Sequence, residues 1–192
     1  MWPFSKSQPV AASGILCEMT DYHSHILPGV DDGVKTMNES LQILAEMKHQ
    51  GVRKVWFTPH IMEDIPNTNA GLRERFQELK EKFRKPEDAY CGTVELNLAA
   101  EYMMDNLFAE RLEADDLLPI YEVGYRYLLV ETTGFTPPMN LLPVLKRMQT
   151  KGYRPLLAHP ERYLYMGTSY YCMLKQEPVA FQLNLPALTG AY

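Results

Sequence analysis

Six short runs rich in β-branched, aliphatic and aromatic residues recur along this chain, with segments of helical period between them. That alternation restricts the fold more than any other feature. Strand–helix–strand repeats bury both faces of a sheet when the strands run parallel and the helices cover them. The expected strands are residues 19–25, 52–60, 94–102, 127–132, 155–159 and 179–185. Thr36 and Glu39 form a capping-box pattern ahead of Leu41, Leu44 and Ala45, and Gly51 stops the helix they begin. Leu72, Phe76, Leu79 and Phe83 recur at helical spacing, which leaves Arg73, Arg75, Lys80, Lys82 and Arg84 as a wetted face. A third helix follows Asn140, with Leu141, Leu145 and Met148 inward, Pro143 in its first turn and Gly152 as its stop.

Six such units predict an α/β fold of the (β/α) barrel type. A complete eightfold barrel typically takes roughly 250 residues, so a chain of 192 is short for one. Residues 1–14, rich in Pro and Ser, are expected to be a flexible tail, and residues 15–192 the folded domain. A formal charge of −5 provides no positive field for a polyphosphate backbone, so nucleic acid is excluded as a general partner. Cys17, Cys91 and Cys172 are odd in number and widely spaced, which fits free thiols rather than a disulfide framework or a zinc knuckle. No apolar run reaches membrane-spanning length and the first residues lack a signal-peptide pattern, so a cytoplasmic location is expected.

The chemistry gathers at one end of the predicted strands. Of five histidines, His23, His25, His60 and His159 fall at C-terminal strand ends, where parallel α/β sheets place their sites. Glu101 and Glu131 interrupt apolar runs at the same rim. Residues i and i+2 of a strand share a face, so the imidazoles of His23 and His25 can reach one ion. Two acids among apolar neighbours with four imidazoles and no Lys or Arg call for cations, and a mixed nitrogen and oxygen donor set suits manganese, iron or zinc. Asp31-Asp32-Gly33 either adds an oxygen ligand or is a plain Asp-Gly turn. Arg162, three residues past His159, either forks onto phosphate oxygens or pairs with Glu161. His49 sits on a helix and is expected to be exposed and idle.

Rival hydrolase signatures are missing. No cysteine is followed at the right spacing by the arginine that a cysteine phosphatase needs, and neither Gly-x-Ser-x-Gly nor a phosphate-cradling Gly-x-x-x-x-Gly-Lys loop occurs. Tyr102, Phe135, Tyr163 and Tyr165 lie near strand ends and offer either a surface for an aromatic substrate or ordinary packing.

The stretches Asp21-Tyr22-His23-Ser24-His25, Val30-Asp31-Asp32-Gly33, Thr58-Pro59-His60, Ala100-Glu101, Val130-Glu131 and Ala158-His159-Pro160-Glu161-Arg162-Tyr163 together resemble one family. It is the bacterial metal-dependent tyrosine-protein phosphatases of capsular and exopolysaccharide operons, within the polymerase and histidinol phosphatase (PHP) superfamily. The resemblance implies a distorted (β/α)7 TIM-like barrel, two or three divalent metal ions, often manganese, and hydrolysis of phosphotyrosine on a partner tyrosine kinase. By matching positions it implies His23, His25, Asp32, His60, Glu101, Glu131 and His159 as metal ligands and Arg162 as a phosphate-binding arginine. The family also carries an Asp-x-His motif and a second arginine on its last strand, and this sequence reaches Tyr192 before them. The expectation is therefore a barrel lacking its last βα unit, with a site open on one side. An exposed strand edge beside residues 179–185 would follow, and with it association into a homo-oligomer. Two other readings stay open: a small-molecule phosphoesterase of histidinol-phosphatase type, and a kinase-binding domain without turnover.

Overall fold

The structure, a computed structural model, describes residues 14–84 and 94–189. The first thirteen residues of the expected tail, and Cys91, lie outside the described residues. In chain order the elements are β1 (Thr20–Ser24), α1 (Met37–His49), β2 (Lys54–Phe57), β3 (His60–Ile61), α2 (Asn69–Phe83), β4 (Glu95–Leu98) and β5 (Glu101–Met103). Then come α3 (Asn106–Ala114), β6 (Ile120–Glu122), β7 (Tyr125–Glu131), α4 (Leu141–Thr150), β8 (Arg154–Ala158), α5 (Thr168–Leu174) and β9 (Ala180–Gln182). Except for β6, every strand pairs with its neighbours in parallel, as the alternation of strands and helices requires.

Two of the expected strands are broken. Residues 52–60 divide into β2 and β3 around Thr58-Pro59, and residues 94–102 divide into β4 and β5 around Ala99-Ala100. Pro59 lacks the N–H that a ladder needs, so the break falls there. The pairing nevertheless keeps its register across the gap: Lys54 opposes Glu95 before it, and His60 opposes Glu101 after it. The order is thus β1-β2-β4 in one sheet and β3-β5-β7-β8-β9 in the other, with the broken strands joining the two. β6 is an addition, antiparallel to β7 across Val123-Gly124, where both residues have positive φ (49° and 79°). A primed turn built on valine carries none of the usual Asn-Gly signal. Helices α3 and α5 are likewise additions to the expected set. Asp105 caps α3 by accepting from Phe108 N at 2.8 Å.

Alternation along the strands separates two cores. Val55, Phe57, Leu128, Val130 and Leu157 join Leu44, Leu72, Leu79, Leu145 and Met148 from the helices. On the opposite face Trp56, Ala99, Ile120, Leu129 and Ala158 pack together. β2, β7 and β8 thus bury residues on both faces, while β4, β6 and β9 stay partly open. Among the described residues, nothing pairs with the outer edges of β1 and β9, and a cleft of about 770 Å³ lies between them, lined by Tyr22, Ile120, Tyr127, Phe181 and Leu183 among others. No helix among the described residues is long and apolar enough to cross a membrane.

The expected start of α1 is present in full. Thr36 accepts from the Glu39 N–H, and the Glu39 carboxylate accepts from the Thr36 N–H at 2.9 Å. Thr36→Ala should therefore lower unfolding free energy by about 1 kcal/mol. Urea denaturation will show a shifted midpoint with an unchanged slope, and a midpoint equal to wild type would mean that the cap contributes nothing.

Candidate metal centre

Six ligand-type side chains meet at one rim, at the C-terminal ends of β1, β7 and β8 and at the breaks that follow β2 and β4. His23 lies on β1 and His25 directly after it; His60 opens β3, Glu101 opens β5, Glu131 closes β7, and His159 follows β8. Glu101 is the hub, with a fully buried side chain. Its Oε2 lies 3.0 Å from His23 Nε2, 3.2 Å from His25 Nε2 and 3.2 Å from His60 Nδ1, and its Oε1 lies 2.9 Å from His159 Nε2. Glu131 approaches His60 Nδ1 at 3.1 Å and His159 Nε2 at 3.6 Å. Asp32 is 77% exposed and lies 3.6 Å from His60 Nε2.

Ligand atoms within 4.8 Å of one another occur in three sets: His23, His25 and Glu101; His25, Asp32 and His60; and His60, Glu101 and Glu131. The sequence reading therefore finds its residues gathered, with His159 attached through Glu101. Arg162 is exposed and ends the 3-10 turn Pro160–Arg162 that follows His159 directly.

The donor set fits divalent cations. Asp31 Oδ2 can only accept, so His25 Nδ1, 2.8 Å away, donates to it, and neutral His25 turns a bare Nε2 toward Glu101 and His23. The two imidazole Nε2 atoms are 3.0 Å apart. Three ligands held about 2.0–2.1 Å from one ion stand about 3.0–3.4 Å from each other, which is the spacing of the His23, His25 and Glu101 set. Among the described residues the buried Nδ1 of His159 has no hydrogen-bond partner, and that of His60 lies close to both carboxylates without a well-directed hydrogen bond to either. Every ion pair of Glu101 among the described residues is to an imidazole.

Without cations, protons take their place. Burial pushes the Glu101 carboxyl up, yet hydrogen bonds from His159, His23 and His25 outweigh it and hold the acid well below the usual carboxylate range. Burial works against protonation of His25, but its bonds to Asp31 and Glu101 prevail and raise it to about 10. For His60 burial is likewise outweighed by Glu131 and Glu101, and its pKa rises.

Local backbone serves the cluster. A Cβ on Gly33 would lie 2.2 Å from His25 O, so the Asp31-Asp32-Gly33 turn can fold this tightly against the ligand strand only with glycine. Asp31 departs from the ligand role open to it: its carboxylate faces His25 Nδ1 and accepts from the N–H groups of His60 at 3.1 Å and Gly33 at 3.0 Å. It is an orienting group that spacing alone does not reveal. His159 has φ 32° and ψ 53°, a left-handed conformation costing on the order of 1–3 kcal/mol for a non-glycine residue.

Of the four aromatic residues near strand ends, three pack. Tyr102 is fully buried and its hydroxyl accepts from Leu118 N; Tyr163 accepts from Thr132 N; Tyr165 stacks on Tyr163 and bonds Thr132 Oγ1. Only Phe135, 81% exposed, remains open to a substrate ring, and Leu164 beside Arg162 joins it on the surface. His49 is exposed at the end of α1, and Cys17 and Cys172 are free thiols. Arg75 leaves the expected wetted face to donate to Pro28 O and Glu78.

This fold and this cage of imidazoles and carboxylates define an α/β protein with a candidate metal-binding cluster, and the sequence comparison makes the class specific. The chain matches the family model described as capsular polysaccharide synthesis, CpsB/CapC, over residues 19–192, and it belongs to that family. It is 32% identical to tyrosine-protein phosphatase CpsB of Streptococcus pneumoniae over 146 residues, covering 76% of this chain and 58% of that protein. It is 28% identical to tyrosine-protein phosphatase YwqE of Bacillus subtilis (strain 168) over 180 residues, 91% of this chain and 67% of that one. A match to CapC of Staphylococcus aureus, 31% identical over 145 residues, covers 75% of this chain and 54% of the relative. The chain thus spans between about half and two-thirds of the length of these relatives. A solved structure from work on YwqE and CpsB, described as unique metal-dependent tyrosine phosphatases, aligns with a TM-score of 0.75 at 27% identity, covering 86% of this chain and 66% of that one.

A raised folded-state pKa predicts a pH dependence for the chelator-treated protein. His25 favours the folded state fully below its unfolded value of 6.5, and that contribution is lost as pH rises through about 10. The urea midpoint of metal-free wild type should fall across this window by more than that of His25→Gln. Parallel curves for the two proteins would remove His25 from the account.

Proposed function

We propose that this chain provides the catalytic centre of a metal-dependent protein-tyrosine phosphatase acting on phosphotyrosine, with a bacterial tyrosine kinase of capsule or exopolysaccharide synthesis as its partner substrate. The observation that carries the reading is the convergence of four imidazoles on buried Glu101, one short turn away from Arg162. The family and the names of its relatives support the substrate class. In this reading residues 15–192 are the phosphatase domain, and the joined parallel sheets are most of a distorted (β/α)7 barrel.

His23, His25, Asp32, His60, Glu101, Glu131 and His159 would hold two or three divalent ions, with manganese favoured and iron or zinc also suited to the donors. The chemistry that bound cations would supply is Lewis-acid polarisation of phosphoryl oxygens and acidification of water toward neutral pH. Glu101 and Glu131 provide the negative charge that keeps such ions in place. Asp31 holds His25 in one orientation and pins the His60 backbone. Arg162 would grip phosphoryl oxygens in pairs and neutralise charge that grows in the transition state. Exposed Phe135 and Leu164, on segments tied by the bond from Leu164 N to Gly134 O, would give the phenyl ring an apolar surface near that arginine.

The roles separate experimentally. Arg162→Ala should lower turnover of a phosphotyrosine peptide by roughly 10²-fold while leaving bound manganese unchanged, whereas His23→Ala should reduce both. Metal content by elemental analysis, read beside peptide hydrolysis, checks this. Equal metal loss in both variants, or faster turnover of histidinol phosphate than of the peptide, would overturn the assignment.

A further inference from the structure

Gln182 lies at the end of β9, on the far side of the cleft from β1. Its Oε1 is 2.6 Å from His23 Nδ1 and 3.2 Å from the backbone N of His159. A backbone N–H can only donate, so the amide atom facing it is the carbonyl oxygen and not the NH₂ group. That oxygen cannot donate to His23, and the hydrogen between them therefore sits on His23 Nδ1. The Gln182 NH₂ turns the other way and donates to Asn184 Oδ1 at 3.2 Å, which fixes the amide plane.

We propose that Gln182 is a positioning residue of the metal centre: its carbonyl holds the His23 ring in the Nδ1–H form, so that Nε2 faces Glu101 and His25 as a bare ligand atom. The assignment rests on the metal-binding reading above. The same oxygen ties down the backbone of His159 in its left-handed conformation, so one side chain of β9 sets two members of the cluster. β1 and β9 share no ladder among the described residues, and this side-chain bond reaches across where backbone pairing does not. Asp31 does the same for His25 with a carboxylate. The two orienting groups together leave both Nε2 atoms aimed at one point, 3.0 Å apart.

The test uses the full chain, Mn²⁺ alone and three proteins: wild type, Gln182→Leu and Gln182→Glu. Gln182→Leu keeps the bulk and removes the acceptor; Gln182→Glu keeps an acceptor. Competition against a chelating dye should show Mn²⁺ affinity falling about 10–100-fold in Gln182→Leu, the usual loss for an outer partner of a ligand histidine. Gln182→Glu should bind at least as tightly as wild type. In metal-free wild type, long-range ¹H–¹⁵N spectra should place the proton of neutral His23 on Nδ1. Equal Mn²⁺ affinity in Gln182→Leu and wild type, failure of Gln182→Glu to rescue, or a proton on Nε2 would overturn the assignment while leaving the metal reading intact. Wild type that takes up no Mn²⁺ would sink the metal reading and this assignment together.

Discussion

A carboxylate with no solvent contact organises one whole rim of this molecule. Taking such a charge out of water costs several kcal/mol even after relaxation, and Glu101 recovers that cost only through positive charge placed around it. Four imidazoles supply contacts at 2.9–3.2 Å. None carries a permanent charge, so the arrangement is balanced only when protons or divalent cations enter it. That is the physical difference between this cluster and a structural ion pair, in which a lysine or arginine would be built in. Arg147 and Lys151, by contrast, bring permanent cations to a Glu113 that is exposed at the surface.

The cluster can be this tight because its members are mounted on strand ends whose positions are set by ladders. β2 is buried on both faces and pairs with the half-buried β4, and their continuation as β3 and β5 carries the same register past Pro59 and Ala99-Ala100. His60 therefore opposes Glu101 as a consequence of pairing that begins at Lys54 and Glu95. Breaking the strands lets the chain turn at the rim without losing that alignment. Ala99 and Ala100 are fully buried at the break.

Much of this was legible in the sequence. The parallel architecture follows from alternating strand and helix patterns, and the site follows from four of five histidines falling at strand ends with two acids on apolar runs. What stayed hidden depends on side-chain direction and not on position. Asp31 and Asp32 are adjacent and identical in type, yet one is buried against His25 and the other is 77% exposed at His60. Nothing in an Asp-Asp-Gly string tells them apart. The aromatic residues were ambiguous for a similar reason: Tyr102 and Phe135 both lie near strand ends, but hydroxyl pairing to Leu118 draws Tyr102 inside. The β6–β7 hairpin escaped because Val123 occupies a left-handed position where Asn or Gly would announce a turn.

The cleft between β1 and β9 separates two kinds of precision within one site. Going round from β1 through β2, β4 and their continuations to β8, each ligand strand is fixed to its neighbour by backbone hydrogen bonds. Across the cleft the link from β9 to β1 is between side chains, His23 to Gln182. The ladder on the β1 side also slips by one residue between Asp21 and Ser24, so the backbone at His23 is less constrained by pairing than that at His60 or Glu101. Yet His23 makes the second-shortest contact to Glu101, at 3.0 Å. A ligand strand with an irregular ladder on one side and a cleft on the other needs its side chain aimed by something other than backbone register, and a short hydrogen bond to an amide carbonyl on β9 does that work.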